Sequence, residues 1–241
     1  AGQKEIVLTG VNTGDFGRTT GEKFIDLLRA LDGVDGIERY RISSIEPNLL
    51  TDEIIAFCAA SPKFQHHFHI PLQSGSDKIR RYTTARFAER IAAVRALMPD
   101  AFIGIDVIVG FPGETEEDFR TTYDFLAGLE PAFLHIFPFS ERPGTPAVEM
   151  PGKVQASVAT RRAAQLEALC AKLHAAFCAR AVGSEDSVLF ESTRRGGMMF
   201  GFTGNYRRVK APYDKARVNT ICRVRLGAMD DSHDLMGEIR D

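Results

Sequence analysis

Three turns in the first two thirds of the chain carry polar groups suited to holding a small ligand. The most informative is Gly110-Phe111-Pro112-Gly113-Glu114-Thr115, which follows an apolar run and precedes a helical pattern. Its two glycines let the backbone approach a ligand closely, and the free N–H groups of a helix N-terminus attract anionic or polar atoms. Glu114 also suits an ordinary helix start, where a carboxylate stabilises the helix dipole. The local pattern leaves both interpretations open.

The second turn, Pro71-Leu72-Gln73-Ser74-Gly75-Ser76-Asp77, ends another apolar run. Gln73 and Ser74 carry groups that hydrogen-bond a ribose or an amino acid. An ordinary turn with a helix N-cap at Ser76 or Asp77 explains the same residues and is favoured locally.

The third turn, Arg142-Pro143-Gly144-Thr145-Pro146-Ala147, places an arginine beside prolines that stiffen the loop. A guanidinium group there suits bidentate binding of a carboxylate or phosphate, or an ion pair with a neighbouring helix.

Histidines and cysteines offer weaker indications of a metal site. His67 and His69 share one face of a predicted strand while His66 points the opposite way, and no acidic residue nearby completes a site. We therefore expect packing rather than metal binding. None of the four cysteines forms a C-x-x-C pair, and Cys170 and Cys178 lie two helical turns apart, about 12 Å of rise. Buried, reduced thiols are predicted. The four are Cys58, Cys170, Cys178 and Cys222.

Aromatic and basic residues alternate near the C-terminus in a pattern typical of RNA-binding β surfaces. Aromatic rings stack on bases while arginines and lysines bind phosphates. A surface strand with ordinary positive charges is the alternative. The residues are Phe202, Asn205, Tyr206, Arg207, Arg208 and Lys210.

The elements that must position these groups fall into three segments. In residues 1–152, five short apolar runs alternate with helical patterns, which predicts a parallel sheet covered by helices, either a β/α barrel or an open doubly wound sheet. Residues 153–182 form one long amphipathic helix, and Gly183 ends it. The short, closely spaced strand patterns of residues 183–241 predict a small antiparallel barrel.

Composition agrees with an ordinary globular protein: 241 residues, 44% hydrophobic and 26% charged, with a net charge of −2. Residues 1–152 are acidic and the remainder is mildly basic, so a polyanion is expected to meet the C-terminal part first. No apolar run approaches the ~20 residues of a membrane-spanning helix. A cytoplasmic location is predicted.

Together and in this order, the turns resemble those of the radical S-adenosylmethionine (SAM) methylthiotransferases, over essentially the whole chain. Among the branches of that family, residues 5–12 and 41–47 look most like the tRNA threonylcarbamoyladenosine methylthiotransferases. The matching segments are Thr9-Gly10-Val11-Asn12, Ser43-Ser44-Ile45-Glu46-Pro47, His69-Ile70-Pro71-Leu72-Gln73-Ser74-Gly75-Ser76-Asp77, Asp106-Val107-Ile108-Val109-Gly110-Phe111-Pro112-Gly113-Glu114-Thr115 and Arg142-Pro143-Gly144-Thr145-Pro146-Ala147.

The resemblance implies a partial β/α barrel with a [4Fe–4S] cluster that cleaves SAM to a deoxyadenosyl radical. The radical removes hydrogen from an adenine carbon, a second cluster supplies sulfur, and a second SAM supplies the methyl group. The C-terminal part looks like a TRAM domain that holds tRNA, with no role implied for DNA or a membrane. The residues implied to face SAM are Asn12, Ser44, Glu46, Gln73, Ser74, Asp106, Gly110, Gly113, Glu114 and Arg142.

Two departures from the family pattern matter. The C-x-x-x-C-x-x-C triad that binds the radical cluster is absent, as is the domain that carries the ligands of the second cluster. We therefore expect the chain to be the C-terminal two thirds of such an enzyme and to be inactive alone. The family also has about five more residues between Ile79 and Arg80, in a loop of variable length.

Other hypotheses remain open at this point. A sister possibility is the same chemistry acting on another tRNA adenosine or on an aspartate of a ribosomal protein, and the RNA-facing surface of the C-terminal part would decide between them. A non-catalytic RNA-binding protein fits the missing cysteines. An unrelated β/α enzyme would need an acid/base pair, for which Glu46 and Glu114 are the candidates.

Overall fold

The computed structural model describes residues 2–76 and 83–240. The strands in these ranges are β1 (Glu5–Leu8), β2 (Arg39–Ile42), β3 (His67–Gln73), β4 (Phe102–Val109), β5 (Phe133–Pro138), β6 (Glu185–Arg195), β7 (Met198–Thr203), β8 (Arg208–Pro212), β9 (Ile221–Met229) and β10 (Leu235–Arg240). The α-helices are α1 (Phe24–Asp32), α2 (Asp52–Ala60), α3 (Thr84–Leu97), α4 (Glu116–Leu129) and α5 (Ala156–Ala179). Asp77 and the Ile79–Arg80 junction lie outside the described residues.

The first five strands run parallel and lie side by side in chain order. β1 pairs with β2, and β3, β4 and β5 form a second sheet. Parallel bridges from Tyr40 to Phe64 and from Ser44 to His69 join the two. A doubly wound sheet reverses its strand order at a switch point, whereas a β/α barrel does not. The observed order is that of a partial barrel.

One face of this sheet is covered by helices, and the other carries polar groups. Phe68, Ile70 and Ile105 are fully buried in the core beneath the helices. Side chains alternate across a strand, so the intervening residues share the opposite face. We call that side, which bears His67, His69 and Asp106, the polar face.

Threonine side chains cap the N-termini of α2 and α4. The side chain of Thr51 accepts a hydrogen bond from the backbone N–H of Ile54 at 3.3 Å. Thr115 accepts one from Asp118 N at 3.1 Å, and the Asp118 carboxylate accepts in return from Thr115 N. These contacts satisfy N–H groups that have no partner within the helix. Thr51 and Thr115 are therefore the N-caps of α2 and α4.

The last five strands close into a separate barrel, called here the small barrel (residues 185–240), with the order β10-β8-β7-β6-β9. Its core contains Val188, Phe190, Met199 and Val224, all fully buried. The predicted antiparallel pairing holds for four of the five strand pairs. β10 and β8 pair in parallel, because β10 returns from its hairpin with β9 to close the gap beside β8.

The small barrel covers the amino ends of the parallel strands, which we call the lower edge. Arg41 of β2 donates to the backbone oxygens of Gly204 and Thr203 at 2.7 and 2.8 Å. Arg207 forms two 2.6 Å hydrogen bonds with Asp100, just before β4. Gly204 passes so close to Gln65 that a Cβ would lie 2.5 Å from the glutamine oxygen. The two parts therefore pack closely together.

Candidate functional site

A cavity of about 470 Å³ lies at the carboxyl ends of β3, β4 and β5, the upper edge of the sheet. It brings together three residues that the sequence analysis placed near SAM: Gln73, Asp106 and Arg142. Carboxyl ends of parallel strands are where β/α folds place their binding groups. The remaining lining residues are Pro71, Ile108, Phe137, Pro138, Phe139, Ser140, Thr145 and Ala147.

Gln73 ends β3 in an unusual backbone conformation. Its φ is +66°, in the left-handed region that non-glycine residues rarely adopt, and its side chain is exposed. The register between β3 and β4 shifts at the same place, between Pro71 and Gln73. Strain of this kind clusters at ligand sites because the surrounding structure must hold it. The conformation turns the chain away from the sheet and leaves the amide group at the cavity.

Arg142 is an exposed cation at this edge. Its backbone oxygen accepts hydrogen bonds from Thr145 N and Oγ1, which shapes the loop. Within residues 2–76 and 83–240, no carboxylate pairs with its guanidinium group. An arginine without a counter-ion at a cavity is available to an anionic ligand.

Ser74 is placed differently from Gln73. It is 3% exposed, and its hydroxyl accepts from Ser76 N at 3.1 Å. Gly75 N donates to Thr122 Oγ1, and Ser76 Oγ donates to Asp118, so the turn is held against α4. The hydroxyl of Ser74 thus serves the turn itself, and Ser74 does not line the cavity.

The turn after β4 is anchored to the long helix α5. The buried carboxylate of Glu114 accepts from Gly110 N at 2.7 Å and from Arg162 at 2.6 Å. Burial raises the pKa of Glu114, against the opposing effects of those two donors. A Cβ on Gly110 would lie 2.7 Å from Ala159 Cβ, and Gly113 N donates to Gly152 O at 2.8 Å. Glu114 therefore holds the turn and does not line the cavity.

The predicted residues after β1 and β2 form a half-buried cluster at the same edge. Asn12 Oδ1 accepts from Glu46 N at 3.2 Å, and Thr13 N donates to Ser44 O at 2.9 Å. These bonds join the ends of the two strands. The structure places Asn12, Ser44 and Glu46 near one another, outside the lining of the 470 Å³ cavity.

A cluster that the sequence analysis missed lies midway down the polar face. His69 Nε2 donates to Asp106 Oδ1 at 2.6 Å, and the rings of His69 and His135 lie 4.6 Å apart. Burial and the neighbouring His69 lower the pKa of His135. The three residues come from three adjacent strands and are far apart in the chain. The alternation of side chains along each strand places all three residues on the polar face, and this alternation is the sequence signal that could have indicated the cluster.

A second cavity, of about 440 Å³, separates the lower part of the polar face from the small barrel. His67, His69 and His135 line it from the sheet side, and Tyr206 and Asp234 from the barrel side. Burial, with a contribution from Arg41, lowers the pKa of His67 to about 3. This imidazole is therefore neutral at physiological pH.

The residues predicted to bind RNA divide into two groups. In the first group, Arg207 is 1% exposed and pairs with Asp100, and Asn205 Nδ2 also donates to Asp100. Tyr206 stacks on Phe202 with ring centroids 4.6 Å apart. Arg207 was predicted among the RNA-binding residues, but its buried side chain instead joins the small barrel to the sheet. The other two cations are paired with carboxylates of the small barrel: Arg208 with Asp234 and Lys210 with Asp230.

All four cysteines are buried free thiols, as predicted. Burial raises the pKa of Cys58 to about 12 and that of Cys178 to about 11. An iron–sulfur cluster needs converging thiolates. Among the described residues no group of cysteines converges; the one group with metal-ligand spacing is His69, Asp106 and His135. The cysteines of this chain therefore do not fit a cluster.

No helix in the described ranges has the length and apolar character needed to cross a membrane.

Comparisons with known proteins agree with the geometry. Residues 1–126 match the Radical SAM superfamily. The threonylcarbamoyladenosine tRNA methylthiotransferase MtaB of Bacillus subtilis is 39% identical over 94% of this chain and 52% of its own length. The tRNA-2-methylthio-N(6)-dimethylallyladenosine synthase of Bifidobacterium longum is 46% identical over 62% of this chain and 32% of its own. The chain thus spans about half or less of the length of these relatives.

Among solved structures, coproporphyrinogen III oxidase (HemN) of Escherichia coli, a radical SAM enzyme, superimposes with a TM-score of 0.53. The match covers 93% of this chain and 54% of that one at 13% sequence identity. At this level of identity the likeness shows a shared fold.

Proposed function

The chain belongs to the radical SAM superfamily, and on that premise we propose that it is part of a methylthiotransferase that modifies threonylcarbamoyladenosine in tRNA. The similarity to the Bacillus subtilis enzyme over 94% of the chain supports the choice of substrate. The resemblance found in the sequence motifs points to the same branch. The activity, the tRNA partner and the two [4Fe–4S] clusters are proposed for the whole protein.

The observation that carries the proposal is the upper-edge cavity with its unpaired Arg142 beside Gln73 and Asp106. SAM carries an α-carboxylate, an α-ammonium group and a ribose. A guanidinium group, a carboxylate and an amide are a donor and acceptor set that matches those groups. The residues present therefore fit SAM, which supplies the radical chemistry and the methyl group when bound. Arg142, Asp106 and Gln73 would hold and orient it at this edge.

The cavity residues fit SAM, but the cysteines of this chain do not fit an iron–sulfur cluster. Because Cys58, Cys170, Cys178 and Cys222 are buried and dispersed, the ligands of any cluster must come from outside these residues. No step of the reaction is assigned to these four cysteines. We propose that this chain contributes the SAM-binding edge and the substrate-facing small barrel.

For tRNA, the small barrel offers exposed cations away from its contact with the sheet. Arg194 and Arg195 are the exposed last residues of β6, and the guanidinium of Arg194 lies 4.6 Å from the ring centre of Tyr213. Phe202, Arg208 and Lys210 stay predicted RNA contacts. We propose that the arginines and Lys210 of this set bind phosphate groups, as basic residues do in RNA-binding β surfaces.

The test uses the whole gene. We would delete it, digest total tRNA to nucleosides and quantify methylthiolated threonylcarbamoyladenosine by mass spectrometry. The deletion is expected to abolish the nucleoside and the wild-type gene to restore it. Arg142→Ala should restore little of it, and Arg120→Ala, an exposed arginine of α4, should restore it fully. An unchanged nucleoside level in the deletion strain would overturn the assignment.

A second substrate is supported by the 46% identity to the dimethylallyladenosine-modifying synthase. The same measurement separates the two, because the two modified nucleosides differ in mass. Loss of the dimethylallyl product alone would move the proposal to that substrate. No change in either product, together with tRNA binding that weakens steeply with salt, would favour a non-catalytic RNA-binding protein.

A further inference from the structure

His69 and His135 have no role in the function proposed above, and together with Asp106 their chemistry is that of a metal site. Two imidazoles and one carboxylate offer three ligand atoms, all within 4.8 Å of one another. From these residues we propose that the polar face binds a single divalent transition-metal ion of the Zn²⁺, Fe²⁺ or Co²⁺ class. This site is separate from any iron–sulfur cluster and does not rest on the assigned substrate.

The backbone positions the three ligands side by side. Asp106 of β4 is in register with His135 of β5, and His69 of β3 is in register with Gly104, two residues before Asp106. Neighbouring strands are about 4.8 Å apart, so their side chains meet on the shared face. Ligand atoms on one ion, with bonds of about 2.1 Å, are about 3 to 3.5 Å apart. Small side-chain rotations would bring the three ligand atoms from their present separations to these distances.

Gly104 keeps the space in front of the ligands open. It lies on the polar face between His69 and His135, and a Cβ there would lie 3.6 Å from His135 Nε2 and 3.1 Å from Phe102. A larger side chain would fill that space. The absence of a side chain at this position therefore suits a site that must admit an ion.

Water and ligands have access from two sides. Asp106 lines the 470 Å³ upper-edge cavity, whereas His69 and His135 line the 440 Å³ cavity below. Asp106 and His69 are each roughly one fifth exposed. Three protein ligands with open positions are the arrangement of metal sites that keep room for water or substrate. Imidazole ligands favour transition metals over Mg²⁺ and Ca²⁺.

Titration of the untagged, metal-free chain with Co²⁺ under anaerobic conditions tests the site, followed through the visible d–d absorption bands of the ion. We expect saturation at one ion per chain and competition by Zn²⁺ and Fe²⁺, but not by Mg²⁺ or Ca²⁺. His69→Ala, His135→Ala and Asp106→Asn should each weaken binding by more than about 10-fold, since even outer-shell changes cost that much. His66→Ala removes a histidine close in sequence to His69 but outside the cluster, and should leave binding unchanged.

A second readout protects the test against variants that fold poorly. A bound ion stabilises the folded chain, so Co²⁺ should raise the thermal midpoint of the wild type and of His66→Ala. The isosteric Asp106→Asn variant should keep its metal-free midpoint and lose the Co²⁺ shift. Absence of Co²⁺ binding by the wild type would overturn the proposal. So would binding that survives His135→Ala, or that is lost equally in His66→Ala.

Discussion

At the lower edge of the parallel sheet Arg39, Arg41 and Arg207 are buried and hydrogen-bonded, whereas at the upper edge Arg142 is exposed and unpaired within the described residues. The buried arginines donate to backbone oxygens and carboxylates across the contact with the small barrel. Arg39, for example, donates to Phe202 O at 3.0 Å and Ser187 O at 2.7 Å.

The difference shows how one residue type serves two purposes. A buried guanidinium group must satisfy its five N–H donors locally, so it fixes the geometry of whatever it contacts. An exposed one keeps its donors available to a ligand. The lower edge therefore holds the two parts together, and the upper edge is where ligand binding is expected.

The largest expected effect comes from breaking the lower edge. Arg207→Ala should lower the free energy of unfolding by about 2 to 3 kcal/mol, because it removes a buried partner of Asp100 and of the Phe177 carbonyl. The expected loss is smaller than for a fully buried ion pair because Asp100 is half exposed. Urea denaturation measures it. The matched control is Arg223→Ala in the exposed pair with Glu185, which should cost less than about 1 kcal/mol. Equal losses in both variants would contradict the comparison.

The lower edge should also be sensitive to acid through His67. Its ring stacks on Phe102 with centroids 4.9 Å apart, and its pKa is lowered from 6.5 to about 3. Between these values the unfolded chain binds a proton that the folded chain does not. Stability from His67 is thus present above pH 6.5 and lost as the pH falls toward 3, by up to about 1.4 kcal/mol per unit.

Denaturation curves measured from pH 7 downward check this prediction. His67→Gln should flatten the loss of stability on acidification more than His66→Gln does, because burial lowers the pKa of His66 as well but that side chain is only partly buried. Parallel pH profiles for the wild type and His67→Gln would show that His67 is not the responsible group.

At the upper edge the same type of substitution should affect ligand binding and leave stability unchanged. Arg142→Ala in the whole protein is expected to weaken SAM binding by about 10- to 100-fold, the size of one or two charge-assisted hydrogen bonds. The free energy of unfolding should change by less than about 0.5 kcal/mol, as for other surface positions. Calorimetric titration with SAM gives the first value and urea denaturation the second. A loss of stability like that of Arg207→Ala would remove the distinction between the edges.

The smallest effect concerns the backbone of Gln73. Gln73→Gly should relieve the left-handed conformation and raise the free energy of unfolding by about 0.5 to 1 kcal/mol, while weakening SAM binding. Glu130→Gly, at the left-handed C-cap of α4, is the control that should stabilise equally without affecting SAM. If Gln73→Gly destabilises the chain, the strain is not stored at the binding edge.

The sequence alone determined the elements and much of their arrangement. Short apolar runs predicted five parallel strands with helices between them, and the long helix predicted over 153–182 is observed as Ala156–Ala179, because local patterns report which side of an element is buried. Threonine caps at Thr51 and Thr115 were predictable because capping is a contact within three residues. The turn that ends β3 was recognised as polar for the same local reason.

What the sequence did not determine is which polar residues lie beside open space. Arg207 follows a short turn and Arg142 precedes one, yet Asp100, 107 residues away, pairs with Arg207 and nothing described pairs with Arg142. His69 was interpreted as a packing residue because its carboxylate partner is 37 residues distant. Alternation along a strand fixes the face on which a side chain lies. Only the pairing of distant strands, and the docking of the small barrel on one edge, decides whether that face is covered.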